Sequence, residues 1–146
     1  RKTDYQRNKI SETMSKNIKE WLESRVNVII ERQEKDIEKY TDCFNEDYDY
    51  FFRWYAEAMY KSQMEYKELC ALRSIIKESG IDEIEKAIET RRYNLEHDLL
   101  ECSLKCRSTS EAMNVAHVWM IEEKQDLRNM YCRFLSEIAE GKKIEG

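Results

Sequence analysis

From Thr3 to Ser79 the chain contains neither glycine nor proline, and Ser79-Gly80 is the only strong interruption before the last few residues. Sheets draw heavily on glycine and proline at their turns, so a stretch of this length without either points to helices. Proline is absent altogether, and the three glycines stand at positions 80, 141 and 146. At 146 residues the chain is the size of one domain and can bury about 68–70% of its unfolded surface. An all-α single domain is therefore expected.

The remaining punctuation divides that domain. Gly80, following Lys77, reads as a left-handed residue closing a helix. Asp82 then reads as the next cap, with Glu85 completing a capping box. Two softer boundaries follow the helix dipole. Lys39 stands at an end before Asn45, Glu46, Asp47 and Asp49, while Lys105 and Arg107 stand at an end before Ser108-x-x-Glu111. Gly141, followed by Lys142 and Lys143, reads as the last stop. The helices expected are about 8–40, 46–78, 82–106 and 109–140.

Apolar residues recur with helical spacing in each. The first carries Ile18, Leu22, Val26, Ile29, Ile37 and Tyr40 with a gap at Gln33. The third carries Ile84, Ile88, Leu95, Leu99, Cys102 and Cys106 with an interruption at Arg91, and the fourth Met113, Ala116, Met120, Leu127, Tyr131, Phe134 and Ile138. Stripes of this kind suit an antiparallel four-helix bundle with short connections. The rhythm also runs almost in phase through both soft boundaries, which leaves a competing arrangement. In it the caps fail and the chain forms an elongated two-helix hairpin or coiled coil hinged at Ser79-Gly80, with helices of up to ~110 Å.

Several function classes are disfavoured by what is absent. There are 25 Lys and Arg against 30 Asp and Glu, a net charge of −5, where a nucleic-acid binder needs a basic stripe to displace counterions. Basic residues exceed acidic ones only weakly near the start, and residues 31–49 hold eight acids against three bases. No apolar run approaches the ~20 residues of a membrane helix. The chain opens on Arg1 rather than methionine, as a processed product or an internal segment does. Five cysteines without a framework spacing suit reduced thiols and a cytoplasmic setting.

Catalytic and metal chemistry find little support. The richest ligand group is Glu96, His97, Asp98, Glu101, Cys102 and Cys106, but both cysteines share the phase of Leu95 and Leu99, where small core side chains belong. Di-iron bundles need Glu-x-x-His, and the residues three before His97 and His117 are Asn94 and Asn114. No glycine-rich phosphate loop, Gly-x-Ser-x-Gly, His-Glu-x-x-His or calcium-loop pattern is present. No enzyme, cofactor or metal is expected.

What remains is "DYDYFFRWYAEAMYKSQMEY", residues 47–66. Tyr48, Phe52, Tyr55, Met59 and Tyr66 align with Leu69 and Ile76 as a core stripe, while Tyr50, Trp54, Tyr60 and Met64 occupy the far side. Trp119, with Val115 and Val118, lies off the stripe of the fourth helix. A second face of this kind either packs a second neighbour, with tyrosine hydroxyls reaching water, or binds a partner. The expectation is a non-catalytic interaction or scaffolding module that binds another protein or a second copy of itself through Tyr50, Trp54, Tyr60, Met64 and Trp119. The competing readings are a bundle holding an apolar small molecule or lipid tail among aromatic and methionine side chains, and a cysteine-bound metal site.

Overall fold

The computed structural model describes the backbone of residues 4–105 and 108–145, with side chains described for 17–102 and 108–144. Every regular element among the described residues is a helix: α1 (Asp4–Glu46), α2 (Tyr48–Trp54), α3 (Ala56–Glu78), α4 (Ile81–Lys105) and α5 (Glu111–Glu145). No described helix is long and apolar enough to cross a membrane.

The core is a single aliphatic seam with aromatic residues at one end. Ile18, Leu22, Val26 and Ile30 of α1 meet Leu69, Leu72 and Ile76 of α3, Ile84, Ile88 and Leu95 of α4, and Leu127, Met130, Tyr131, Phe134 and Ile138 of α5. Burying one such side chain contributes roughly 1.5–3 kcal/mol, so packing rather than helix propensity holds the elements in place. Polar contacts fix the relative directions. Lys142 at the end of α5 reaches Asp82 at the start of α4 (2.9 Å), while Lys124 reaches Asp98 (3.3 Å) and a ring nitrogen of His117 lies 3.3 Å from the Cys102 carbonyl. α4 and α5 are therefore antiparallel. Tyr40 beside Tyr55 and, farther back along α1, Glu34 accepting from Tyr66 set α1 against α3 in the same sense.

The boundaries differ from expectation in instructive ways. Among the described residues no glycine adopts a positive φ; the turn after α3 is made by Ser79 in extended backbone (φ −125°, ψ 157°). Gly80 instead precedes α4 and accepts the Ile84 N–H at 3.0 Å. Asp82 and Glu85 form no capping box here; both carboxylates hold Lys142, at 2.9 and 3.0 Å. That hydrogen bond draws the Asp82 carboxyl below its ordinary range. The start of α5 is capped by Ser110 rather than Ser108, since Asn114 N–H bonds to the Ser110 carbonyl (3.1 Å) and the Ser108 hydroxyl accepts from Ser110 N–H (3.0 Å). Gly141 does not stop α5. It lies within the helix against Ile18, where an added Cβ would come within 3.0 Å of that side chain.

Three polar residues interrupt the seam. Arg91 of α4 donates to Glu68 of α3 (2.6 Å), which also accepts from the buried Tyr131 hydroxyl of α5 (2.5 Å). Burial and the bond to Glu68 raise the Tyr131 phenol far above its usual range. Gln33 and Glu123 are both buried, each with an Oε1 that lacks a hydrogen-bond partner. Burial, reinforced by Glu65 and Asp126 and opposed by Lys61, pushes the Glu123 carboxyl up to about 8. The nearby cation is engaged elsewhere, as Lys61 contacts Glu122 at 2.6 Å and Glu57 at 3.6 Å.

Candidate interaction surface

Helix α1 runs past Lys39 to Glu46, and the chain breaks at Asp47, whose extended backbone (φ −153°, ψ 96°) places its carboxylate to accept the Tyr50 N–H at 3.0 Å. This is the side-chain cap that ends one helix and starts another. It excludes a continuous helix through this point, and with it that form of the two-helix hairpin. After the seven residues of α2, Tyr55 departs from helical geometry (φ −123°, ψ −8°), yet the chain does not lose its ladder. Tyr55 N–H bonds to the Phe51 carbonyl and Met59 N–H to the Tyr55 carbonyl, both at 2.8 Å. α2 is thus a short, offset turn of helix set between α1 and α3.

Rings hold this corner together. Phe44 lies 4.9 Å from Tyr48 and 5.1 Å from Phe51, Tyr40 lies 5.1 Å from Tyr55, and Tyr50 stands edge-on to Tyr55 at 5.8 Å. Pairs at these distances contribute about 0.5–1.5 kcal/mol beyond area burial. Phe51 is the anchor and is buried, whereas Tyr48, Tyr50, Phe52 and Trp54 are 63%, 47%, 65% and 69% exposed. Arg53 is tied to Asp49 at 3.0 Å.

The five residues singled out from sequence separate into two places. Tyr50 and Trp54 stay together on α2, ring centroids 6.4 Å apart and open to solvent. Tyr60 of α3 and Trp119 of α5 are half-buried and face each other at 6.0 Å, so this pair joins two helices of the chain; Met64 is half-buried on α3. Tyr48 and Phe52 were expected in the core stripe and are exposed instead. The true seam is set by the aliphatics. At about 100° per residue Phe51, Leu69, Leu72 and Ile76 fall within roughly 60° of one another, and all four are buried. The expected line was drawn through the larger aromatics and lay about 80° away.

Beside α2 runs an open groove of about 600 Å³, lined by Glu38, Asp42, Glu46 and Asp47 with the Tyr50 and Tyr55 rings, and by Lys35, Lys39 and Cys43. The Lys39 ammonium rests 5.2 Å from the Tyr55 ring centroid. The Cys43 thiol is pushed up by partial burial and then by the charges of Asp47 and Glu46. Among the described residues no three His, Cys, Asp or Glu side chains are grouped to hold a metal. Cys102 is half-buried with a free thiol, and Cys106 lies outside the described residues. Comparison with family models, curated proteins and solved structures finds no match to this chain.

Proposed function

We propose that the chain is an antiparallel four-helix bundle, with α2 and α3 together forming the second helix, that acts in the cytoplasm as a non-catalytic protein-protein interaction module. Its binding surface is the aromatic end formed by α2 and the last turns of α1. One observation carries this reading: four large rings are half to two-thirds exposed within one seven-residue helix. Single exposed apolar residues are ordinary on a protein surface, but paired exposed rings such as Tyr50 and Trp54, 6.4 Å apart, are the kind of apolar surface that interaction sites use. Tyrosine and tryptophan are also the side chains most enriched at interface hot spots. Tyr50 and Trp54 form the centre of the surface, while Tyr60, Met64 and Trp119 serve mainly the packing of α3 and α5.

The test is capture from an extract of the source cells with the intact chain and with a Tyr50→Ser/Trp54→Ser variant, together with sedimentation of both. The expected result is a protein retained by the intact chain and lost, by tenfold or more, from a variant of unchanged helicity. Equal retention by both, with both monomeric, would remove the aromatic end as the binding surface.

A further inference from the structure

We propose that the partner of the aromatic end is a lysine- or arginine-rich segment of another protein, lying in the groove between the last turns of α1 and the Tyr50 and Tyr55 rings. This rests on the reading of that end as a binding surface and adds the chemistry of what binds there.

Charge selects the partner. The groove brings four acids, Glu38, Asp42, Glu46 and Asp47, against two bases, Lys35 and Lys39, alongside two tyrosine rings, and across residues 40–55 the only base, Arg53, is held by Asp49. Among the described residues no cation lies within ion-pair distance of Asp42 or Glu46. The Cys43 thiol beside these carboxylates is raised first by partial burial and then by Asp47 and Glu46, with Lys39 opposing them. Carboxylates beside aromatic faces attract ammonium and guanidinium groups by Coulomb and cation–π interactions together. The chain itself supplies an example at one edge of the groove, where the Lys39 ammonium sits over the Tyr55 ring.

The same charges argue against a second copy at this place. A twofold contact joins the same surface patch on both copies, so it would bring the acidic stretch from Asp42 to Asp49 close to its own copy. Like-charge juxtaposition of that kind suppresses association by several kcal/mol. Phosphate-rich partners, whether nucleic acid or anionic membrane, meet the same repulsion. A basic segment gains from steering, and its methylene stems cover Tyr48, Phe52 and Trp54.

Three tryptophans, Trp21, Trp54 and Trp119, lie on three different helices, so indole N–H resonances of the 15N-labelled chain report the location of binding. The probe is a helix-forming 14-residue peptide with lysine on one face and leucine on the other, compared with its glutamate counterpart. The lysine peptide is expected to shift Trp54 and leave Trp21 in place, and to bind at least tenfold more weakly in Asp42→Asn/Glu46→Gln. Raising salt from 50 to 500 mM should weaken it similarly. Equal binding of the glutamate peptide, or unchanged affinity in the charge variant, would overturn the basic-partner inference while leaving the aromatic surface intact. A lysine peptide that binds Tyr50→Ser/Trp54→Ser as well as the parent would overturn both. Absence of any Trp54 shift with either peptide would also overturn the inference, and capture from extract then decides the interaction reading separately.

Discussion

Glu123→Gln should stabilise the protein at alkaline pH and leave it nearly unchanged at pH 5. Glu123 follows the seam of α5 one turn before Leu127 and is 4% exposed, with Oε1 lacking a partner. Its carboxyl is held near 8 by burial, with Glu65 and Asp126 adding repulsion and Lys61 opposing them. An unfolded chain releases this proton near 4.5. Between those values the folded state binds one more proton than the unfolded state, so stability falls as pH rises, by about 1.4 kcal/mol per pH unit. The stabilising contribution is complete below pH 4.5 and is lost by the time pH passes 8. From pH 5 to 8 the parent should therefore lose roughly 3–4 kcal/mol relative to glutamine, which fills the same volume without titrating. At pH 5 the two should agree within about 1 kcal/mol, the cost of placing one amide N–H₂. Urea denaturation followed by helical circular dichroism from pH 5 to 9 measures the difference, in which every other titrating group cancels. Parallel stability curves for parent and variant would refute the reasoning, because they would mean Glu123 is hydrated or ion-paired in the folded state.

Three further outcomes are expected. Leu72→Ala, at a fully buried seam position, should cost about 2–5 kcal/mol in denaturant unfolding, and Leu99→Ala, half-buried on α4, should cost less than half as much as Leu72→Ala. Gly80→Ala should be neutral or stabilising by up to ~1 kcal/mol, since no atom lies within 4 Å of the added Cβ and φ is not positive; a loss of 1 kcal/mol or more would restore a left-handed residue at the turn. Tyr131→Phe should destabilise by about 1–3 kcal/mol, because it removes a buried donor to Glu68 while leaving Arg91 in place, and thermal unfolding reads the change.

Helical class and most of the seam were legible because they follow from composition and spacing, whereas the first soft boundary was drawn at about residue 40 and α1 runs on to Glu46. Scarcity of glycine and proline leaves helices, and Leu22, Val26, Ile84, Ile88, Leu127 and Ile138 are buried where their spacing puts them. Gaps in the apolar rhythm were equally informative. Gln33 and Arg91 interrupt their stripes in sequence and occupy interior positions in the fold, and the space between Met120 and Leu127 contains Glu123 in the same way. A rhythm cannot say what a polar residue inside it bonds to, since Glu68 and Tyr131 arrive from other helices.

The aromatic end was harder to read. Phenylalanine and tyrosine weigh heavily in any hydrophobic stripe, so Tyr48 and Phe52 were placed in one stripe with Leu69 and Ile76, of which only the two aliphatics are buried. The departure at Tyr55 has no cap, glycine or proline to announce it; N–H and carbonyl groups on both sides remain bonded through it. Tyr50 and Trp54, singled out because they lie off any single stripe, are exposed on α2, whereas Tyr60 and Trp119, chosen by the same argument, meet across α3 and α5. Helical phase identifies a second apolar face, and only the positions of neighbouring helices decide whether that face is covered.

Hydroxyl-radical footprinting of the chain, alone and in the complex captured from its source cells, tests the interaction surface most directly. Free Tyr48, Tyr50, Phe52 and Trp54 should be oxidised readily, given their exposure. On assembly these four should become protected several-fold, while the exposed Tyr93 on α4 keeps its reactivity. Unchanged oxidation at Tyr50 and Trp54 in the complex, with protection appearing elsewhere, would contradict the assignment of the aromatic end as the binding surface.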